Sequence, residues 1–500
     1  MARKAARDPS ASAKAAPPAG VVLNARPLEQ IGAMDDPGEE ASFIPPEGYE
    51  AVLNFTASIA VFGDPGSGKT ALARALTRWA ESDPDSQTGP TARPFVIPYP
   101  PAYWPQGPSS APEVRDHPTA VLSAFARRLY RWLLKSPTAF GRLRDSHRLV
   151  LRWLFSHYLE VSFSFIAQEL ADTLEDEGAS SLAEAARAWV SLAGADPYPP
   201  HGTLESKLNG VLRCLRALEF PVAWLVVDVH HVDWVDNANW LRAQLEELLR
   251  TSSLYGQEGL AVKLCLPAGL APIAQGTWAM TQERLQTLRL DWKPEAIGRI
   301  IAQRLSQTGL EGGLPALCAP GFLDKLNEVR AHFTADQDIR GWLRLVKELV
   351  SIQVETRCLP LGLEHWPQAA RRLYRSLAPL RVEIGRGIED QTQKETEQYD
   401  LTRAWRGREA LTLSSREREI LACLWKAHQH GRPLSPADLH AWLPGTFGGG
   451  YQDDKARQNV HTAISRLREK LEPVEGEPIY LRTDGHNGYW LDNTITTEQV

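Results

Sequence analysis

The sequence lacks the marks of several protein classes. No apolar run reaches the ~18 residues that a membrane-spanning helix needs, and the first residues contain no apolar core of an export signal. The five cysteines stand singly, with neither C-x-x-C spacing nor the density of a disulfide framework; they are Cys214, Cys265, Cys318, Cys358 and Cys423. We therefore expect a cytoplasmic protein in a reducing compartment, with no membrane partner and no structural metal.

An excess of charge of one sign is also missing. The 55 basic and 61 acidic side chains leave a net charge of −6, which argues against a protein that coats nucleic acid nonspecifically but allows one small DNA-reading module. The 500 residues exceed one ordinary core and predict about two or three domains. Residues 1–48 are rich in alanine, proline, glycine and charge without a hydrophobic period, and they predict a disordered tail.

A glycine-rich motif stands between an apolar run and a helical pattern. Residues 58–62 predict a strand, residues 71–79 predict a helix, and the residues between them follow G-x-x-x-x-G-K-[ST], the pattern of a phosphate-binding loop. Its glycines allow successive backbone N–H groups to turn onto a phosphate. The predicted nucleotide-binding residues are Gly63, Asp64, Pro65, Gly66, Ser67, Gly68, Lys69 and Thr70.

This chemistry predicts ATP and Mg²⁺ as cofactors. Lys69 is expected to reach the β- and γ-phosphates, and Thr70 to ligate the metal. A second motif, the apolar run 221–228, ends at Asp228, the form of a strand whose carboxylate holds the same ion. The predicted metal ligands are therefore Thr70 and Asp228. A helical insertion at about 118–203 separates the two motifs, and it is either an elaborated core or a surface for a protein partner.

Residues 49–350 resemble the ASCE P-loop ATPases of the AAA+, ORC and STAND type. The two nucleotide motifs carry this resemblance, and the segment from Arg284 to Trp292 ahead of a helix supports it more loosely. It implies an α/β P-loop NTPase fold, a parallel sheet with helices, that carries the large helical insertion and a helical lid. The implied domains are an ATPase core at 49–270, a lid at 271–350 and a helical linker at 351–400.

The same resemblance implies roles for single residues. The segment 338–350 resembles a lid helix with a nucleotide-sensing arginine, which here would be Arg340. The alternative interpretation of Arg340 is an exposed arginine at a helix start. Active AAA+ enzymes usually carry a glutamate after the magnesium-binding aspartate, whereas a valine follows Asp228. Hydrolysis is then expected to be slow, to use Asp233 or His230, or to need a second subunit. The alternative interpretation of His230 and His231 is that they are ordinary polar residues at a strand end. The predicted catalytic residues are Lys69, Asp228, Asp233 and Arg340.

Residues 401–495 have a pattern of their own. Helices predicted near 414–425, 434–443 and 458–471 precede two short strands around a glycine-containing turn, which is the order of a winged helix-turn-helix. The third helix has a core stripe at helical spacing, made of Val460, Ile464, Leu467 and Leu471.

This unit resembles the DNA-binding domain of OmpR-type response regulators. The segments 459–472 and 479–489 carry the resemblance, which implies duplex DNA as a partner and the third helix in its major groove. The implied DNA-binding residues are Asn459, Thr462, Arg466, Lys470, Arg482 and Thr483. Gly485 stands where the family's wing has a second arginine, and Asp484 precedes it, so the wing is expected to contribute less. A winged helix that docks protein is the alternative.

Three functions stay open on these grounds. In the leading interpretation ATP sets the angle of the lid, the helical insertion senses a signal or protein partner, and the winged helix binds DNA when released or when a nucleotide-dependent homo-oligomer forms. Such a protein would regulate transcription or a defence or stress response. The alternatives are a DNA-loading ATPase of replication or transposition type, and an ATPase scaffold of a defence complex whose winged helix docks protein.

Overall fold

A computed structural model describes most of the chain, in two compact units. One unit spans residues 33–296, and the other combines residues 1–32 with residues 297–500. The described residues are 23–25, 28, 43–54, 56–81, 93–105, 116–191, 202–230, 238–277, 283–335, 338–386, 399–443, 447, 454–474, 478–484, 488–492 and 496–499.

A five-stranded parallel sheet forms the centre of the first unit. Its strands are β1 (Ser58–Gly63), β2 (Phe95–Pro98), β3 (Ala223–Asp228), β4 (Leu260–Pro267) and β5 (Leu285–Arg289), in the spatial order β2-β3-β4-β1-β5. Four of the strands are almost continuously apolar and buried, as expected for parallel strands covered on both faces. Strand β4 lies between β1 and β3 and pairs parallel with both. The chain segments that follow β1 and β3 therefore leave the sheet at the same edge, one on each side of β4.

Helices surround this sheet, and a group of them lies between β2 and β3 in the sequence. The helices are α1 (Tyr49–Val52), α2 (Lys69–Glu81), α3 (His117–Lys135), α4 (Asp145–Tyr158), α5 (Phe163–Asp176), α6 (Ser180–Trp189), α7 (Leu204–Ala217), α8 (Ala238–Arg250), α9 (Ser252–Tyr255) and α10 (Ala271–Gln275). The indole of Trp189, which is fully buried, contacts the rings of Phe140 and Phe163. These aromatic side chains belong to the same hydrophobic core as the buried residues of the sheet, so the helical insertion extends that core.

Strand β5 lies within the segment predicted as the beginning of the lid. It pairs with β1 over Ser58–Phe62 and closes one edge of the core sheet. The core sheet therefore extends past the predicted boundary at residue 270. Only Leu285 of this short edge strand is fully buried. The strand therefore has few apolar residues, and its sequence pattern is close to that of a loop.

A buried lysine stands in the middle of this sheet. Lys263 of β4 is 1% exposed, its Nζ donates to the carbonyls of Asn54 (2.7 Å) and Ala57 (2.8 Å), and it lies 4.8 Å from the ring centre of Trp224. Burial lowers the pKa of Lys263 from 10.5 to about 7. The neutral amine is therefore the form that the folded unit favours above neutral pH.

We expect the stability of the first unit to rise between pH 7 and pH 9. The folded pKa of Lys263 lies below the unfolded one, so in this range the unfolded chain binds the extra proton, and each pH unit adds at most ~1.4 kcal/mol from this group. Urea unfolding followed by tryptophan fluorescence measures the slope, and Lys263→Met should flatten it. Equal slopes in the wild type and the methionine variant would contradict the assignment.

The second unit joins a helical group to two small sheets. Its helices are α11 (Pro294–Gln307), which begins just before the unit boundary, α12 (Leu314–Leu317), α13 (Pro320–Phe333), α14 (Ile339–Thr356), α15 (Trp366–Leu377), α16 (Ser415–Gln429), α17 (Pro436–Trp442) and α18 (Asp454–Leu471). Its strands are β6 (Leu380–Arg386), β7 (Tyr399–Arg406), β8 (Glu409–Ala410), β9 (Leu481–Asp484), β10 (Gly488–Leu491) and β11 (Thr496–Gln499), arranged as β11-β6-β7-β8 and β10-β9.

Two sequence-based expectations for this unit need correction. The segment predicted as a helical linker contains β6, which pairs antiparallel with β7, because Leu380 and Val382 alternate with partly exposed residues at the period of a strand. The tail predicted as disordered contains Leu23 and Leu28, which are 3% and 1% exposed. The N–H of Leu23 donates to the side chain of Gln353 on α14 (3.1 Å), so this short piece of the tail is packed.

The residues after β7 also pack on the helical group. The buried Tyr480 hydroxyl donates to the carbonyl of Ala378, and the N–H of Gly407 donates to the carbonyl of Pro379 (3.0 Å). Gly407 has φ +60°, and a Cβ there would collide with the carbonyl of His332 at the end of α13. The C-terminal module is thus part of one compact unit with α13 and α15, whereas the sequence suggested a separate unit behind a solvated linker.

Candidate functional site

The glycine-rich loop lies between β1 and α2. Gly66 and Gly68 have φ of +82° and +89°, the left-handed region that favours glycine. The Lys69 side chain is 7% exposed, and its Nζ donates to the carbonyls of Gly63 (2.8 Å) and Asp64 (2.9 Å). The loop therefore curls around its own lysine, and α2 begins at that lysine with the positive end of its dipole toward the loop.

The loop is held from the side by a tryptophan of the same unit. The indole Nε1 of Trp292 donates to the carbonyl of Ser67 (2.8 Å), and Ser67 is 2% exposed with a buried hydroxyl that has no hydrogen-bond partner in the described structure. Asp64 and Pro65 are exposed at the tip of the loop, where Asp64 lies 3.6 Å from the guanidinium of Arg289.

Asp228 ends β3 close to this loop. Burial raises its pKa, although His230, Thr70, Lys69 and Arg74 all favour the charged carboxylate. Its Oδ1 is buried without a hydrogen-bond partner among the described atoms. A buried carboxylate with an unused oxygen and a raised pKa gains most from an added cation, because the cation offsets the cost of desolvation.

Thr70 and His230 complete this group of side chains. The Thr70 hydroxyl favours the charged form of Asp228 and lies 3.4 Å from Nδ1 of His230, whose Nε2 is 3.8 Å from Oδ2 of Asp228. The described residues contain no cluster of three or more His, Cys, Asp or Glu side chains suited to a metal ion. One carboxylate and one hydroxyl fit Mg²⁺, which keeps few protein ligands and takes the rest from water and phosphates.

The structure does not test two of the predicted site residues. Asp233 lies outside the described residues. Arg340 is exposed in the first turn of α14, in the second compact unit. Their catalytic and sensing roles therefore stay predictions. Reasoning from the motifs left the role of His230 undecided. Residues two apart in an extended chain lie on the same side, and this spacing from Asp228 was the signal that places both side chains on one side of the strand end.

The C-terminal module has the three helices and the hairpin that the sequence predicted. Capping boxes open α16 and α17, each with a serine that accepts from the N3 N–H and an acid that accepts from the serine N–H. The predicted stripe of α18 is buried. The wing pairs β9 with β10. Helix α18 contacts β9 through Arg468, whose Nη2 donates to the Leu481 carbonyl (3.4 Å) and to Thr483 Oγ1 (3.3 Å).

Residues 407–491 match a protein-family model, "Transcriptional regulatory protein, C terminal". The chain is also 32% identical over 97 residues to the "DNA-binding dual master transcriptional regulator RpaA" of Synechocystis sp.. That alignment covers 19% of this chain and 35% of the relative, so the two proteins share about one domain. Both comparisons agree with the winged helix in the structure and concern this module alone.

The predicted DNA-binding residues divide into two groups in the structure. Thr462 and Arg466 are exposed on the side of α18 away from the module's core, and Asn459, next to the buried Val460, is half-buried. Arg466 makes no hydrogen bond or ion pair with any residue that the structure describes. Lys455, Gln458 and Ser465 are exposed as well, and they lie opposite the core stripe at helical spacing. We define the recognition face as Lys455, Gln458, Thr462, Ser465 and Arg466.

The other group is engaged inside the module. The Lys470 ammonium donates to Glu417 on α16 (2.7 Å) and to the Thr412 carbonyl (3.2 Å). Arg482 is ion-paired with Asp492 (2.7 Å), and Thr483 accepts from Arg468. A DNA contact by Lys470 or Arg482 would require that side chain to leave its carboxylate. The predicted contacts of these residues are therefore less favourable than that of Arg466. Gly485 lies outside the described residues.

Within the described ranges, no helix combines the length and the apolar character needed to cross a membrane.

Proposed function

We propose that this protein regulates transcription through its winged helix, and that ATP with Mg²⁺ at the loop Gly63–Thr70 controls its DNA binding. One observation carries the nucleotide part: a buried carboxylate oxygen of Asp228 without a partner lies beside Thr70, at the mouth of a loop whose glycines have positive φ. The strand order supports it as well, since the loop and Asp228 follow parallel strands at one edge of the sheet, where α/β proteins bind ligands.

The recognition face supports the DNA part. Arg466 is an exposed cation without a protein partner among the described residues, on the helix that corresponds to the groove-reading helix of the matched family. Thr462 and Gln458 add exposed hydrogen-bonding groups on the same face. These are the residue types that contact phosphates and base edges.

Chain connectivity suggests how nucleotide would act on the module. Trp292 holds the Ser67 carbonyl of the loop, and α11 begins at Pro294, two positions later. A change in the loop on nucleotide binding would therefore act on the residues that lead directly into the second compact unit. The winged helix belongs to that unit, packed on α13 and α15, so it would move with these helices.

A mobility-shift assay on genomic fragments, with ATP, with ADP and without nucleotide, tests the proposal. We expect retention of specific fragments that differs between nucleotide states, because control requires different nucleotide affinity in the free and DNA-bound arrangements. Equal retention in all three states, together with measurable nucleotide binding, would reject the control while leaving the DNA-binding module in place. DNA-stimulated ATP turnover would instead favour the DNA-loading alternative.

A second function has one observation in its favour. Lys470 and Arg482, two cations expected to face DNA, are each paired with a carboxylate of the module. Fewer free cations weaken the electrostatic attraction to duplex DNA. A winged helix that docks protein, within an ATPase scaffold, would show no retained fragment in the same assay and would copurify with a partner.

A further inference from the structure

We propose that His230 provides a nitrogen ligand to the metal ion that accompanies the nucleotide, so that the site discriminates in favour of Mn²⁺ over Mg²⁺. This inference rests on the proposed nucleotide site. It adds a specificity-determining residue that neither nucleotide motif includes.

The position of His230 on the chain directs its side chain toward the site. It follows Asp228 by two residues, and the Val229 N–H between them still donates to the Cys265 carbonyl of β4 (3.0 Å), so the extended backbone continues past the end of β3. Residues two apart in an extended chain share a side. Val229 is fully buried, while the His230 side chain is 35% exposed beside Asp228.

The distances from the His230 ring to Thr70 and Asp228 are too long for strong hydrogen bonds and within about 1 Å of the separation of neighbouring metal ligands. Nδ1 of His230 is 3.4 Å from the Thr70 hydroxyl, and Nε2 is 3.8 Å from Oδ2 of Asp228. Adjacent ligands of an octahedral ion with bonds of about 2.1 Å lie about 3 Å apart. A small rotation of the ring would therefore bring one nitrogen into the same shell as the Thr70 and Asp228 oxygens.

The ligand set then determines which ion binds best. Mg²⁺ is a hard ion that takes oxygen ligands, whereas first-row transition ions bind imidazole nitrogen more tightly. Mn²⁺ accepts the same carboxylate and water oxygens as Mg²⁺. The nitrogen of His230 is thus the group that separates the two ions at this site.

The first test compares metal preference in the binding of a fluorescent ATP analogue. For the wild type and for His230→Ala, affinity is measured with Mg²⁺ and with Mn²⁺, and the ratio of the two affinities is the readout. We expect the preference for Mn²⁺ to fall by about 10-fold or more in the variant, the scale on which metal-site residues act. His231→Ala, a change at the next residue, is the matched control and should keep the wild-type ratio.

The second test detects a bond between the metal ion and a histidine nitrogen directly. Wild-type protein grown with ¹⁵N-histidine is loaded with Mn²⁺ and ATP, and electron-nuclear double resonance detects any ¹⁵N nucleus bonded to Mn²⁺. Labelling only histidine excludes the nitrogens of the nucleotide. A ¹⁵N coupling that persists in His231→Ala and disappears in His230→Ala supports the proposal.

The outcomes separate this inference from the function beneath it. If neither metal supports nucleotide binding by the wild type, the proposed nucleotide site is wrong. If nucleotide binds with both ions, but the metal ratio is unchanged in His230→Ala and no ¹⁵N coupling is seen, the site stands and His230 is not a ligand. A coupling lost only in His231→Ala would overturn the assignment in the same way.

Discussion

Lys69→Ala should reduce the affinity for ATP by about 100-fold or more. The ammonium lies within a loop whose carbonyls of Gly63 and Asp64 hold it, 2.8 Å and 2.9 Å away, and in the proposed function this loop binds the phosphates. A hydrogen bond to a charged group contributes about 1.5–3 kcal/mol, and the phosphates would lose both this bond and the neutralising charge. Isothermal titration calorimetry with ATP and Mg²⁺ measures the change.

The matched control for this prediction is Lys293→Ala. Lys293 belongs to the same unit and also loses one positive charge, but its exposed side chain pairs with Glu47 at the surface. We expect its ATP affinity to stay near that of the wild type. Thermal unfolding of both variants shows whether the loop still folds, since Lys69 also bonds to the loop itself. Unchanged ATP affinity in a folded Lys69→Ala protein would remove the nucleotide site from the proposal.

The loop was predictable because its chemistry is contiguous. Positive φ at Gly66 and Gly68 requires glycine, and Lys69 and Thr70 follow at once at the start of α2, so eight consecutive residues specify the local backbone. The position of Asp228 at a strand end was predictable because an apolar run that ends in an acid, when it follows such a loop in the sequence, indicates the second motif of a nucleotide site. Its closeness to Thr70, with a buried oxygen left over, depends on β4 lying between the two strands, which no local pattern specifies.

Other parts of the structure depend on partners distant in the sequence. Helical spacing separates the buried stripe of α18 from its remaining residues, but it cannot say that Glu417 of another helix lies beside Lys470. Leu23 and Leu28 are two apolar residues in a stretch of low periodicity, and only the surface they meet makes them part of a core. Charge and period alone therefore overestimated both the free cations and the disordered tail.

Arg466→Glu should weaken binding to a specific DNA fragment by about 30-fold or more. The side chain is exposed on the recognition face without a partner in the described part of the chain, so its replacement costs the fold little. A good contact between an arginine and a base or phosphate contributes about 1–3 kcal/mol, and a glutamate at the same place adds repulsion from the phosphates. Fluorescence anisotropy at several salt concentrations measures both the affinity and the salt slope, which should become less steep.

Two further variants distinguish a contact from a general charge effect. Arg144→Glu makes the same change of charge at an exposed arginine of the other unit, and it should leave DNA affinity nearly unchanged. Lys470→Met removes the partner of Glu417. Burial alone would raise the pKa of Glu417, but its bonds from Lys470 and Ser414 lower that pKa. The main cost of the Lys470→Met variant should therefore be in stability. Equal losses of affinity in the Arg466 and Lys470 variants would show that Lys470 leaves Glu417 to bind DNA, and an unaffected Arg466→Glu would shift the winged helix toward protein docking.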